Sequence, residues 1–172
     1  MTEAVKAFVG GAEQSDDLTM LAIQYMKEQN PSIRLQRSIT LPNDIEAVPM
    51  LNQFIDSFAE DIMLDMSLTM SLNLAIEEAV VNVMSYAYPQ GMQGNVNIEA
   101  IADDEWLTFI ISDRGIPFDP TAKEEADTTL SVEERPIGGL GIFLVRQLMD
   151  SINYERVDGR NVLTVRKKIN KH

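Results

Sequence analysis

Two short runs of alternating character, Asn95 to Ile101 and Trp106 to Asp113, stand on either side of Asp103-Asp104, and they constrain the fold more than any other stretch. A period of two predicts strands with one face buried, and the aspartate pair between them predicts a turn that pairs them side by side. In the second run Leu107, Phe109 and Ile111 share a face, and the same parity puts Asp113 on it. That face should lie beneath whatever helices the chain supplies. A carboxylate there is costly unless it is hydrogen-bonded.

The helices are legible on both sides of this pair. Asp44 to Leu64 carries Ile45, Val48, Leu51, Phe54, Ile55, Phe58 and Ile62 at helical spacing, with Asn43 or Asp44 as cap. Pro49 is tolerated if it falls in the first turn. A second helix is predicted from about Ser67 to Tyr88, ending before Pro89-Gln-Gly91, with Leu72, Ile76, Ala79 and Val83 as its stripe. A third runs from Leu140 to Met149. Further strands are expected at Arg34 to Leu41, Ile152 to Val157 and Asn161 to Lys168, the last two joined by a turn at Asp158-Gly159. Helices gathered on one face of a mixed, mainly antiparallel sheet make an α+β fold, an α/β sandwich. A shorter apolar strand from Leu18 to Ile23 precedes a linker around Asn30-Pro31, so residues 1–28, 29–33 and 34–172 read as separate pieces.

Composition removes several kinds of chemistry. The 172 residues include no cysteine, which excludes thiolate catalysis and zinc–thiolate sites, and one histidine, His172 at the very end. Ser-His-Asp catalysis is therefore excluded, and no internal histidine is available for self-phosphorylation. A formal net charge of −13 argues against nucleic acid, because phosphate backbones need a cationic face. No apolar run approaches the ~20 residues of a membrane span. The first residues lack the charge and apolar core of a signal peptide, so a cytoplasmic location is expected.

Three motifs carry candidate chemistry. Asp113-Arg-Gly115-Ile-Pro117 ends a strand in an acid whose carboxylate an adenine amino group could satisfy, while Gly115 permits positive φ and close approach by a flat base. Glu78-Ala-Val-Val-Asn82 projects two side chains from one helix flank. Asn82 offers a neutral oxygen to a Mg²⁺ that takes its other ligands from water and phosphate, and Glu78 could accept a proton from an attacking hydroxyl. Glu77 is rotated away and reads as surface. Gly138-Gly139-Leu140-Gly141 opens a helix, where exposed N–H groups favour phosphate. Each motif alone is commonplace; their order in one short chain is what points to a nucleotide.

In that order they resemble the nucleotide site of the GHKL (Bergerat-fold) ATPases, and residues 34–168 resemble the branch of anti-sigma-factor serine kinases. The resemblance runs through Glu78 to Asn82 with Tyr86-Ala-Tyr88-Pro89, through Asp113 to Pro120, and through Glu134-Arg135 to Ile142. It implies ATP and Mg²⁺ as cofactors, with Glu78 as general base, Asn82 on the metal, Asp113 reading adenine, and Gly115, Gly138, Gly139, Leu140 and Gly141 around the nucleotide. Residues 118–137 would form a lid over the phosphates, with Arg135 near the γ-phosphate. The implied substrate is a serine or threonine on an anti-sigma-factor antagonist domain, the other partner a sigma factor, and the implied assembly a homodimer. This bacterial signalling role involves neither nucleic acid nor membrane. The chain departs from the pattern where Tyr86 replaces a frequent histidine and Asn161 a frequent threonine.

Phe8 to Leu21, containing Asp16-Asp17-Leu-Thr, resembles the end of a metal-dependent serine phosphatase of the stress-response and sporulation type, in which an aspartate of that segment holds metal. The rest of such a phosphatase is missing, so a remnant without phosphatase activity is expected. Two functions stay open at this point: a serine/threonine kinase acting on an antagonist, or an ATP-responsive, non-catalytic regulatory module of a phosphatase fusion.

Overall fold

A computed structural model of the chain describes residues 32–122 and 139–169. The phosphatase-like piece, most of the linker around Asn30-Pro31, and 123–138 of the expected lid lie outside the described residues. Five strands form one sheet: β1 (Leu35–Pro42), β2 (Asn95–Ala102), β3 (Trp106–Asp113), β4 (Ser151–Val157) and β5 (Arg160–Lys168). Their order is β1-β2-β3-β5-β4. All four pairings among the described residues are antiparallel, so the parallel pair of a mixed sheet is not among them. Three helices, α1 (Val48–Asp61), α2 (Met66–Tyr86) and α3 (Gly139–Leu148), complete the α+β fold.

The β2–β3 turn forms because the Asp103 carboxylate accepts from the Glu105 and Trp106 N–H groups, both at 2.8 Å. That turn sets Val96 opposite Asp113 and Ile98 opposite Ile111. One face of the sheet therefore collects Val96, Ile98, Ala100, Leu107, Phe109 and Ile111, all buried. At the far edge, Asp158 and Gly159 both have positive φ, the conformation a two-residue hairpin needs for its twist to match the strands. The hairpin slots β5 between β3 and β4 and registers Asn161 directly against Asp113.

The helices cover that apolar face. Leu51, Ile55 and Phe58 of α1 and Leu72, Ile76, Ala79, Val80 and Val83 of α2 are buried, and Phe58 meets Phe109 edge-on at 6.0 Å. Burial of side chains this size is worth roughly 1.5–3 kcal/mol each. Asp65 caps α2 by accepting from the Leu68 N–H at 3.0 Å. Helix α1 ends in a backbone-capped turn: Leu64 N–H reaches Ala59 C=O at 2.9 Å and Met63 N–H reaches Glu60 C=O at 3.0 Å. Met63 takes the left-handed conformation there, with φ of 54°.

Three local expectations need correction. Ile45 leaves the apolar stripe and is 62% exposed. Asp44 caps a short 3₁₀ turn, Ile45–Ala47, which rotates Ile45 away before Pro49 enters the first turn of α1. Helix α2 stops at Tyr86, and Ala87 and Tyr88 leave it. The Tyr88 hydroxyl then donates to the Asn95 carbonyl at 2.8 Å, tying the chain to the start of β2. Glu77 does more than meet solvent, since its carboxylate accepts from Asn52 Nδ2 at 2.9 Å and joins α1 to α2.

Candidate functional site

Glu78 and Asn82 lie one turn apart on α2, where the helix faces α3. Asn82 is 6% exposed, and its Nδ2 donates to the Glu78 carbonyl at 2.7 Å. That bond commits the amide N–H to the helix's own backbone and turns Oδ1 away from it. The first turn of α3 comes down on this pair. A Cβ at Gly141 would collide with the Glu78 carboxylate and stand 2.9 Å from Asn82 Nδ2. Glycine suits this position by close approach and not by backbone conformation, for Gly141 shows no positive φ. The structure thus brings Glu78, Asn82 and Gly141 together, with Gly139 and Leu140 opening the same helix. Their N–H groups belong to the first turn, whose donors have no partner within the helix. Arg135 and Gly138 lie outside the described residues.

Asp113 sits at the other end of the site. Its parity holds: it is 3% exposed and faces the helices. Oδ1 accepts from the Gly115 N–H at 2.7 Å and from Asn161 Nδ2 at 2.9 Å. Oδ2 is equally buried and has no hydrogen-bond partner. Burial pushes the carboxyl above the ordinary aspartate value. The bonds from Asn161 and Gly115 and the charge of Arg156 oppose that rise without cancelling it.

Gly115 behaves differently from expectation. Its φ is not positive, and the space that a Cβ would take is filled by the Ala87 backbone at the end of α2. The Ile116 N–H donates to that same Ala87 carbonyl at 2.8 Å. This contact binds the loop after β3 to the C-terminal end of α2. Asn82 is five residues back along that helix, about 7.5 Å at the usual rise. Tyr86, four residues after Asn82, stacks on Phe118 with ring centroids 5.3 Å apart. Beyond it, Asp119 holds the Thr121 N–H at 2.8 Å, and Arg146 of α3 donates to the Thr121 carbonyl at 2.7 Å.

The residues fit a nucleotide carrying its own metal. A buried acceptor without a partner suits an amine donor. Among the described residues no cluster of three acidic or histidine side chains could hold an ion unaided, so a metal at Asn82 would depend on phosphate and water for its other ligands. A depression of about 770 Å³ lined by Asn43, Met84, Tyr88 and the 89–94 loop shares no residue with this site. The sequence did not disclose the support around Asp113 from Asn161, Tyr154 and Arg156. Asn161 meets Asp113 through the register of β3 and β5, and Tyr154 and Arg156 act on it through the Asn161 amide.

An antiparallel sheet covered on one face by helices, with this pair on α2 and this glycine on α3, defines a GHKL-type ATPase domain. The chain belongs to the histidine kinase-like ATPase domain family, whose pattern matches residues 41–167. It is similar to the serine/threonine-protein kinase BtrW of Bordetella bronchiseptica, 30% identical over 89 residues, 52% of this chain and 63% of that protein. The serine-protein kinase RsbW of Listeria monocytogenes is 32% identical over 92 residues, 51% of this chain and 59% of the relative. RsbW of Halalkalibacterium halodurans is 26% identical over 125 residues, covering 70% and 76% respectively. The chain spans less than two thirds of the length of the first two. No helix among the described residues is long and apolar enough to cross a membrane.

Proposed function

We propose that this chain binds Mg·ATP and transfers phosphate to a serine or threonine of a partner protein, as a regulatory kinase domain. The observation that carries the proposal is the convergence of Glu78, Asn82 and Gly141 on one face of α2, with the unpartnered Asp113 oxygen at the other end. Bound ATP would supply the transferable phosphoryl group and its Mg²⁺ the neutralising charge. Asp113 Oδ2 accepts from the base's amine and rejects guanine, which carries an acceptor at that position. Asn82 Oδ1 serves the metal as a neutral oxygen. The first-turn N–H groups of α3 receive phosphate oxygens. Glu78 takes the proton from the acceptor hydroxyl.

The partner class rests on the resemblance to anti-sigma kinases and on the relatives named as serine-protein kinases. The substrate is an anti-sigma-factor antagonist domain, and the chain also sequesters a sigma factor. The test separates Glu78 from Asn82. Incubation with labelled ATP and candidate antagonist domains should give phosphoserine or phosphothreonine. Glu78→Ala should bind ATP within a few-fold of wild type and lose ~10²–10⁴-fold in transfer, the usual cost of removing a general base. Asn82→Ala should lose nucleotide binding and transfer together. Transfer by Glu78→Ala at the wild-type rate would remove the base assignment.

A further inference from the structure

We infer that Asn161 is the positioning residue for base recognition: its amide locks the Asp113 carboxylate so that a single oxygen, Oδ2, is left to read the base. The inference rests on the adenine-binding reading above. It concerns a residue that would touch no part of the nucleotide.

Asn161 is 3% exposed and stands opposite Asp113 in the sheet. Its Nδ2 donates to Asp113 Oδ1 and to the Ile116 carbonyl, both at 2.9 Å. Its Oδ1 accepts from Arg156 Nη1 at 2.7 Å, from the Tyr154 hydroxyl at 2.8 Å and, at a longer 3.3 Å, from the Phe118 N–H. A primary amide has two donor hydrogens and one acceptor oxygen, and all are engaged. These partners also fix which way the amide lies. Turned over, it would set its oxygen against a carboxylate and a carbonyl, and its N–H groups against the Arg156 and Phe118 donors.

Two consequences follow for Asp113. Its Oδ1 is saturated by Asn161 and by the Gly115 N–H, so the carboxylate cannot rotate to exchange oxygens without breaking both bonds. The Arg156 guanidinium hydrogen-bonds the intervening amide and not the carboxylate, and its Nη1 also donates to the Gly115 carbonyl at 3.2 Å. The acid is therefore held without being capped by a direct ion pair. The same amide staples Ile116 and Phe118, so the carboxylate and the loop that flanks it form one unit. A threonine hydroxyl has one donor hydrogen. It could serve Asp113 or Ile116 but not both.

The test compares affinity for ATP with affinity for purine riboside triphosphate, which lacks the exocyclic amine. A hydrogen bond to a charged group contributes about 1.5–3 kcal/mol, so wild type should prefer ATP roughly 10–100-fold. Asn161→Thr should cut that ratio at least fivefold while leaving affinity for the amine-free analogue within about twofold. Tyr154→Phe removes one anchor from the far side of the amide and should lower the ratio less, in the same direction. It also serves if Asn161→Thr fails to fold, which nucleotide-free thermal melting reveals. An unchanged ratio in folded Asn161→Thr or, failing that, in Tyr154→Phe overturns the inference while leaving ATP binding intact. Equal loss for both nucleotides also overturns it, because a structural role alone would produce that. Wild type that binds both equally, or neither, overturns the adenine reading and this inference with it.

Discussion

Two glycines, Gly115 and Gly141, are both packed too closely for a side chain, yet they meet different things. Gly115 lies against the backbone of Ala87, which cannot move without displacing the end of α2. Gly141 lies against the far end of Glu78, which can rotate, and beside the amide of Asn82. The first therefore secures the fold around the Asp113 end, where Asn161 saturates its partners. The second fits the helix–helix face, where Asn82 is held by its own helix and α3 must sit close. The Asp113 end is held by backbone contacts and by the Asn161 amide. The Glu78 and Asn82 end depends on where α3 rests.

That contrast is broken first by exchanging each glycine for alanine. Gly115→Ala should destabilise the fold by about 3 kcal/mol, the upper range for forcing an extra carbon into a packed site. Gly141→Ala should stay within about 1 kcal/mol of wild type, since alanine's helix preference offsets the displacement of flexible side chains. Mg·ATP binding should nonetheless fall at least tenfold in Gly141→Ala. Denaturant unfolding and calorimetry on both variants check this; similar stability losses in the two would erase the distinction.

Asp113 sharpens the same comparison through pH. Its folded-state pKa is raised, so the folded protein holds the proton more tightly than the unfolded chain does. Its contribution to stability is complete below the ordinary aspartate value and is lost as pH climbs through the raised one. Asp113→Asn is free of that loss and keeps an oxygen for Gly115 and Asn161. The variant should gain stability relative to wild type between acidic and neutral pH, while losing roughly 10–100-fold in ATP affinity at neutral pH. Denaturation across that pH series is the measurement. A stability difference that is constant with pH would show that burial does not raise this carboxyl.

Far from the site, the smallest effect is expected at Met63. It is 86% exposed and occupies a left-handed position that costs a non-glycine residue roughly 1–2 kcal/mol. Met63→Gly should raise stability by about 0.5–1 kcal/mol, after allowing for glycine's greater unfolded-state entropy, and leave nucleotide binding unchanged. Thermal melting and calorimetry suffice.

The sequence disclosed what period and parity control. The alternation Leu107, Phe109, Ile111 placed Asp113 on the buried face, and the i, i+4 spacing put Glu78 and Asn82 on one flank. Helix geometry also disclosed most of α1, α2 and α3. Ile45 was misread because a single aspartate cap started a 3₁₀ turn, whose different pitch rotates the residue out of the stripe. Gly115 was misread because close approach and positive φ favour the same residue type, and only coordinates tell them apart. Asn161 was visible only as a departure from a family pattern. Its partners, Asp113 and Ile116, lie 48 and 45 residues away, and no local pattern encodes that register.

Calorimetric titration of the wild-type chain with Mg·ATP and Mg·GTP, side by side at neutral pH, tests the central claim most directly. A buried carboxylate oxygen awaiting a donor should give clear binding of ATP and at least tenfold weaker binding of GTP, whose carbonyl would face that oxygen. Equal affinity for the two, or no binding of either, would contradict Asp113 as the reader of the base and with it the site described above.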